Sequence, residues 1–97
     1  MRNYELVVIF DPSLEEEAVD TELSNITSII EKEKGKISDI DKWGVRKLAY
    51  PIKKQESGYY IIIYFNGKNA AITELDRVNK INDKILRHLI VKSEQSK

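Results

Sequence analysis

The strongest structural signal in the chain is residues 59–65, which read Tyr59-Tyr60-Ile61-Ile62-Ile63-Tyr64-Phe65. Aromatic and β-branched side chains favour a strand, and here apolar residues fall on both faces of that strand. A strand of this kind usually lies in the interior of a sheet. Residues 4–10 have the same character, with Tyr4, Leu6, Val8 and Phe10 on one face. The sequence therefore predicts two central strands.

An amphipathic helix is predicted after the first strand. Its apolar residues recur at spacings of four, three and four, which places them on one helical face: Val19, Leu23, Ile26 and Ile30. Ser13 and Glu16 have the spacing of a capping box. Gly35 is the residue expected to end the helix in a left-handed conformation.

A second, shorter helix follows the central strand of residues 59–65. Asn66-Gly67 predicts a turn, and Asn69 is expected to cap the helix. The apolar face of the helix is predicted to consist of Ala71, Leu75, Val78 and Ile81 or Asn82. Residues 85–91 then predict a last strand.

Residues 37–52 are extended but irregular, which is typical of an edge strand. Trp43-Gly44 predicts a bulge or a bend, Pro51 stands near the end of the segment, and residues 53–58 are expected to form a polar turn. The complete order is strand, helix, strand, strand, helix, strand. This order predicts an α+β, ferredoxin-like βαββαβ sandwich, a four-stranded antiparallel sheet with two helices on one face. Residues 1–97 are expected to form a single domain, with residues 93–97 as a short tail.

Composition excludes several kinds of site. The 97 residues contain no Cys and one His, His88, so a disulfide scaffold, a thiolate-bound metal and a multi-histidine site are all excluded. We therefore expect no metal site and no cofactor. The unbroken apolar run at residues 6–10 is far shorter than the roughly 20 residues that span a bilayer, and we expect no signal peptide at Met1-Arg2.

The net charge of zero conceals an uneven distribution. Residues 1–34 contain nine acids and three bases, whereas the remainder contains thirteen bases and seven acids. Such asymmetry is a hint of a surface that faces a polyanion, although it is equally consistent with an ordinary solvated surface.

Enzymatic motifs are weak. No nucleophile elbow is present, and Asn66-Gly67-Lys68-Asn69 lacks the glycine spacing of a P-loop. Acylphosphatases share the predicted topology, but their glycine-rich, arginine-containing loop has no counterpart after the first strand, where Asp11-Pro12-Ser13 is acidic through Asp11 and unsuited to phosphate. His88 is expected to be a partly exposed sheet residue and not a base. The chain is therefore predicted not to be an enzyme.

Basic residues interleaved with aromatic ones favour nucleic-acid binding. Such residues neutralise phosphates and stack on exposed bases, and here they bracket Tyr50: Arg46, Lys47, Lys53 and Lys54. Arg87, His88 and Lys92 lie on the last strand, beside Arg2 in the predicted topology. The alternative is that these cations only keep an edge strand soluble. The octapeptide of the RNA-recognition motif is matched only in part by residues 57–64, so stacking on the sheet face is not the favoured mode.

Residues 43–60 carry a longer match. This segment closely resembles the signature of the bacterial small-subunit ribosomal protein six family. The matching residues are Trp43-Gly44-Val45-Arg46-Lys47-Leu48-Ala49-Tyr50-Pro51-Ile52-Lys53-Lys54, followed by Gly58-Tyr59-Tyr60. Tyr4-Glu5, Asp11-Pro12 and Ile85-Leu86-Arg87-His88 resemble the same family. This resemblance covers nearly the whole chain.

The resemblance implies a non-enzymatic, cytoplasmic component of the small ribosomal subunit with a ferredoxin-like fold. It implies binding to the central domain of the small-subunit ribosomal RNA together with small-subunit protein eighteen, and no membrane partner or small-molecule substrate. The RNA contacts it implies are Arg2, Tyr4, Arg46, Lys47, Tyr50, Lys53, Lys54, Arg87 and His88. Tyr50 is equally compatible with a core position, and Arg46 with a role in orienting the bulge. The partner is expected at Trp43, Val45 and Leu48, by strand-edge or apolar contact.

A different class of function is also compatible with the fold. Ferredoxin-like domains serve as small-molecule-sensing regulatory dimers, and such a domain would require a ligand pocket between paired sheets.

Overall fold

A computed structural model describes residues 2–92, and the predicted tail at 93–97 lies outside the described residues. The elements follow the predicted order: β1 (Arg2–Phe10), α1 (Glu16–Lys32), β2 (Lys36–Ile52), β3 (Gln55–Gly67), α2 (Asn69–Ile81) and β4 (Ile85–Lys92). The ferredoxin-like fold is confirmed.

The four strands form one antiparallel sheet in the order β2-β3-β1-β4. The two strands that are apolar on both faces, β1 and β3, lie in the middle, as the sequence predicts. Val8 of β1 faces Ile61 of β3 on one side and His88 of β4 on the other. This register fixes which side chains share a face.

The main core lies between the sheet and the helices. Both helices cover the same sheet face, because their buried residues pack with the same set of strand residues. These strand residues are Tyr4, Leu6, Val8, Phe10, Ile61, Ile63, Phe65 and Ile85. The opposite side of the sheet, which we call the open face, has no helix against it within residues 2–92.

The predicted capping box at α1 is wrong. The helix begins at Glu16, and its cap residue Glu15 is extended and makes no side-chain cap hydrogen bond. Ser13 instead donates from its backbone N and its Oγ to Asp11 Oδ1, at 2.9 and 2.8 Å. An Asp two residues earlier competes for these donors by forming a local turn.

The end of α1 is displaced by one residue from the prediction. Lys34, and not Gly35, adopts the left-handed conformation, with φ of 68°. Gly35 N donates to the Ile30 carbonyl at 2.8 Å and Lys34 N to that of Glu31 at 2.9 Å, which is the Schellman pattern. Gly35 is required for space, because a Cβ would stand 2.7 Å from the Asn66 carbonyl oxygen.

The second helix also differs from the prediction in detail. Asn69 is its first residue and not its cap, because the cap position is Lys68. Its buried residues are Ala71, Leu75 and the polar Asn79. The predicted apolar face is therefore wrong at its end, because Asn79 is buried there and Ile81 is 68% exposed.

The β2–β3 hairpin is longer and its turn tighter than predicted. The bulge at Gly44 is confirmed, with φ of 85° and a register shift after Lys42. The turn contains only Lys53 and Lys54, because Ile52 already pairs with Gln55. At the other end of β3, Asn66 and Gly67 belong to the strand and do not form the predicted turn.

Candidate nucleic-acid and partner surfaces

The end of the β2–β3 hairpin, residues 48–55, folds back over the open face, and we call it the hairpin tip. Leu48 is only 6% exposed and packs in a small second core with Ile9 and Leu86. The partly buried Ile52 and Tyr60 complete this cluster. Burial of one leucine side chain contributes on the order of 2 kcal/mol, so the tip is held against the sheet.

Polar contacts tie the hairpin tip to β4. Arg87 Nη1 donates to the Tyr50 hydroxyl, and Lys53 Nζ donates to the Ile85 carbonyl at 3.4 Å. Three of the residues predicted to contact RNA are thereby brought together. Tyr50 is nevertheless 56% exposed, so it lies at the surface and not in the core.

A second group of predicted residues lies on β2 beside the tip. The Trp43 ring stacks on Tyr60, with centroids 6.2 Å apart, and the Arg46 guanidinium lies 5.9 Å from the Trp43 ring centroid. Lys47 completes the lining of this groove, whose volume is about 460 Å³. Arg46 therefore holds a cation over an aromatic ring next to the predicted bulge.

Arg2 and Tyr4 lie at the other end of the sheet. The Tyr4 ring is buried and stacks on Phe65 at 5.6 Å, while its hydroxyl donates to Asn69 Oδ1 at 3.4 Å. Arg2, Tyr4, Gly67, Lys68 and Asn69 line a cleft of about 220 Å³.

Lys68 and Asn69 are not among the residues that the sequence predicts to contact RNA. The predicted topology could have identified both residues, because it places the end of the third strand beside the start of the first strand. Residues that directly follow the third strand are therefore neighbours of Arg2.

His88 belongs to neither group. It is opposite Val8 and therefore faces the helices, and its Nε2 lies 2.9 Å from Asp76 Oδ1 of α2. This hydrogen bond is the main reason why the pKa of Asp76 is below its usual value of 3.8. His88 is half-buried in a third cleft, between α2 and β4.

The two basic groups stand at opposite ends of one rigid sheet. Arg2 pairs with Gly67, whereas Ile9, seven residues further along β1, pairs with Arg87. At a rise of about 3.3 Å per residue, these two positions are about 23 Å apart. One phosphate group cannot contact both.

The predicted partner residues differ in accessibility. Trp43 and Val45 are 46% and 56% exposed on β2, which is an edge strand that pairs with β3. Leu48 is buried in the chain's own hairpin tip, so it offers little surface to a partner.

Residues 2–92 contain neither a metal-binding cluster nor a membrane-spanning helix. Among residues 2–92, no three His, Asp or Glu side chains are grouped closely enough to hold a metal ion. No helix in this range is long and apolar enough to cross a membrane.

Comparisons with known proteins agree on one family. A family model described as ribosomal protein S6 matches residues 3–92. The small ribosomal subunit protein bS6 of Desulforamulus reducens is 45% identical over 92 residues, covering 95% of this chain and 97% of that protein. The corresponding protein of Clostridium novyi is 44% identical over 95 residues, covering 98% and 100%. The crystal structure of 30S ribosomal protein S6 from Thermotoga maritima is 33% identical, with a TM-score of 0.89, and the match covers 95% of this chain and 87% of that one.

Proposed function

Because the chain belongs to the ribosomal protein S6 family, we propose that it binds the central domain of the small-subunit ribosomal RNA together with small-subunit protein eighteen. Family membership makes the chain a structural protein of the small ribosomal subunit and confirms the expected location at the ribosome. It also favours this function over that of a small-molecule-sensing regulatory domain. We propose that the chain has no catalytic role.

The hairpin tip is the observation that best supports RNA binding. Lys53 and Lys54 occupy its turn, and Arg87 is held beneath it by Tyr50. Arg46 and Lys47 lie on the adjoining part of β2. Five exposed cations thus lie on and around the hairpin tip, where they can approach a phosphate backbone.

The cleft at the opposite end of the sheet supports a second RNA contact. Arg2 and Lys68 supply positive charge there, while Tyr4 and Asn69 supply a hydroxyl and an amide. His88 stays a predicted RNA contact, but its hydrogen bond to Asp76 directs it toward α2.

The edge of β2 supports docking of the partner protein. Trp43 and Val45 are large apolar side chains exposed on an edge strand, and an edge strand accepts contacts from a further chain. We expect these two residues, more than the buried Leu48, to contact protein eighteen.

The RNA-binding role is tested by the double variant Lys53→Ala/Lys54→Ala. Binding to a central-domain RNA fragment is measured in the presence of protein eighteen at several salt concentrations. We expect about tenfold weaker binding, and a salt slope shallower by about 1.4–1.8 if each lysine neutralises one phosphate.

The matched control is Lys32→Ala/Lys80→Ala, which removes two exposed charges from the helical layer. This control should bind RNA like the unmodified chain. Equal affinities for both double variants would remove the hairpin tip from the RNA site.

A further inference from the structure

The bulge in β2 places Trp43 outside the regular strand ladder. Lys42 is opposite Ile61 of β3. Gly44 is opposite Tyr60, the residue directly before Ile61, so Trp43 is the extra residue of the bulge. Ladder hydrogen bonds are disrupted at a bulge. The direction of the Trp43 side chain therefore depends on the side-chain contacts that its own residue and its neighbours make.

Lys42, which directly precedes the bulge, is tied to the first helix. It lies on the helical side of the sheet, because it is opposite Ile61 of the main core. Its Nζ donates to Asp20 Oδ1 at 2.6 Å and to Glu16 Oε2 at 3.3 Å, and both acceptors belong to α1. The hydrogen bond to Asp20 is the main cause that raises the pKa of Lys42 above its usual 10.5. The ion pairs are therefore intact at neutral pH.

A tyrosine of β3 holds the same carboxylate from the other side. The Tyr59 hydroxyl lies 3.3 Å from both carboxylate oxygens of Glu16, to which it donates. The Tyr59 ring packs against the main core and is opposite Val45, the residue that follows the bulge. The first turns of α1 are thus joined to β2 before the bulge and to β3 opposite it.

The other side of the bulge carries the groups that the site uses. The Trp43 indole Nε1 donates to Asp41 Oδ2 at 3.0 Å, and its ring stacks on Tyr60 of the open face. The Arg46 guanidinium stands over the same ring. The bulge is therefore held on both faces of the sheet, by Lys42 on the helical side and by Trp43 on the open side.

We propose that Lys42 is a positioning residue, which acts through Asp20 and Glu16 of α1 to fix the bulge and thereby sets the directions of Trp43 and Arg46. The proposal rests on the function proposed above, because Arg46 is one of the proposed RNA contacts. Lys42 itself need not contact RNA for this role.

Two simpler roles for Lys42 fit the geometry less well. Exposed ion pairs contribute little to overall stability, but these pairs are placed where the ladder is interrupted and side chains decide the local conformation. A direct RNA contact is disfavoured, because Asp20 and Glu16 already neutralise the ammonium group and would repel a phosphate.

The test uses Asp20→Ala, which removes the nearer partner of Lys42 and leaves every cation in place. Binding to the central-domain RNA fragment is measured in the presence of protein eighteen. On charge alone, the loss of an acid would strengthen RNA binding. The positioning role predicts the opposite, about threefold weaker binding, which is the effect of losing one exposed ion pair.

The matched control is Glu74→Ala. The Glu74 carboxylate lies 2.6 Å from Arg77 Nη2 within α2, the same distance as that between Asp20 and Lys42, so the control removes an equal charge and an equal ion pair far from the bulge. It should bind RNA at least as tightly as the unmodified chain. Equal affinities of Asp20→Ala and Glu74→Ala would overturn the proposal.

A second variant, Lys42→Met, separates positioning from a direct RNA contact. It should weaken RNA binding about threefold, like Asp20→Ala, and leave the salt dependence of binding unchanged. A salt slope reduced by about 0.7–0.9 would show that Lys42 neutralises a phosphate itself, which would also overturn the proposal.

Trp43 is the only tryptophan of the chain, so its fluorescence reports on the bulge without RNA. In Asp20→Ala and Lys42→Met, we expect stronger quenching by acrylamide and lower anisotropy than in the unmodified chain and in Glu74→Ala. This result supports the positioning role even if the RNA fragment fails to bind the unmodified chain, which would overturn only the proposed function. If Trp43 is quenched equally in all four proteins, Lys42 does not position the bulge.

Discussion

Arg87 of β4 and Tyr50 of the hairpin tip form a hydrogen bond between residues 37 positions apart, from the guanidinium Nη1 to the phenol oxygen. The sequence presents these residues as two separate RNA contacts. Because Tyr50 accepts this hydrogen bond, we expect it to position the Arg87 guanidinium for RNA as well as to contact RNA itself.

This pairing predicts different salt dependences for two substitutions. Arg87→Ala should reduce the salt slope of RNA binding by about 0.7–0.9, the contribution of one phosphate contact. Tyr50→Phe keeps the charge and should leave the slope unchanged while weakening binding a few-fold, because Arg87 loses a hydrogen bond that orders it. Filter binding over a salt series measures both values. A reduced slope in Tyr50→Phe would contradict the positioning role.

The turn of the hairpin tip predicts opposite changes in stability and in RNA binding. Lys53 and Lys54 have φ of 50° and 68°, and adjacent left-handed residues favour Asn-Gly in a two-residue turn. Lys54→Gly should therefore raise the free energy of unfolding by on the order of 1 kcal/mol, while RNA binding weakens through the lost charge. Urea unfolding and RNA titration of the same variant measure the two effects. Lys54→Ala is the control, because it removes the charge but keeps the unfavourable backbone conformation.

Asn79 predicts a stabilising substitution in the core. Its side chain is 2% exposed on α2, and within residues 2–92 neither its Oδ1 nor its Nδ2 has a hydrogen-bond partner. A buried amide without partners costs about 1–3 kcal/mol, so Asn79→Leu should raise the midpoint of urea unfolding.

The nearby Asn82 is the control for that substitution. Its Nδ2 donates to Glu22 Oε1 at 2.7 Å and its Oδ1 accepts from Lys84 N at 2.9 Å. Asn82→Leu should therefore lower stability. A fall in the unfolding midpoint of Asn79→Leu would mean that the added volume outweighs the lost amide.

The contact between His88 and Asp76 predicts a change in an acid titration. The hydrogen bond from His88 is the first cause that lowers the pKa of Asp76 below 3.8. A carboxyl with a lowered pKa in the folded state stabilises the fold above its unfolded pKa, and this contribution disappears as the pH falls through the folded pKa. In His88→Leu, the Asp76 carboxyl resonance should titrate closer to 3.8. Glu74, whose pKa is lowered mainly by its hydrogen bond from Arg77, should titrate as before.

The strand order of the sheet could be predicted because the distribution of apolar residues along each strand reflects how deeply that strand is buried. β1 and β3 are apolar on both faces and lie in the middle, whereas the more polar β2 lies at the edge. Helix ends could not be predicted as reliably, because short-range hydrogen bonds decide them. Ser13 had the spacing of a cap, but Asp11 was a nearer acceptor.

For the candidate RNA-binding surface, the sequence predicted the types of residue but not their arrangement in space. Arg46, Lys47 and Tyr50 stand close together in the sequence, so their proximity needed no fold. The attachment of the hairpin tip through Leu48 depends on contacts with Ile9 and Leu86, which are distant in the sequence, so no local pattern predicts it. The register of β2 against β3 shifts after Ile37, after Lys42 and after Lys47, so it cannot be counted from the sequence alone.

The separation between the Arg2 cleft and the hairpin tip has a consequence for specificity. Backbone hydrogen bonds of β1 fix this spacing of about 23 Å, so the protein cannot stretch or shorten to suit a ligand. An RNA that engages both ends must itself hold two stretches of backbone at that distance. The sheet would then act as a molecular ruler, selecting a folded RNA by the geometry of its strands and rejecting an unfolded one of the same sequence.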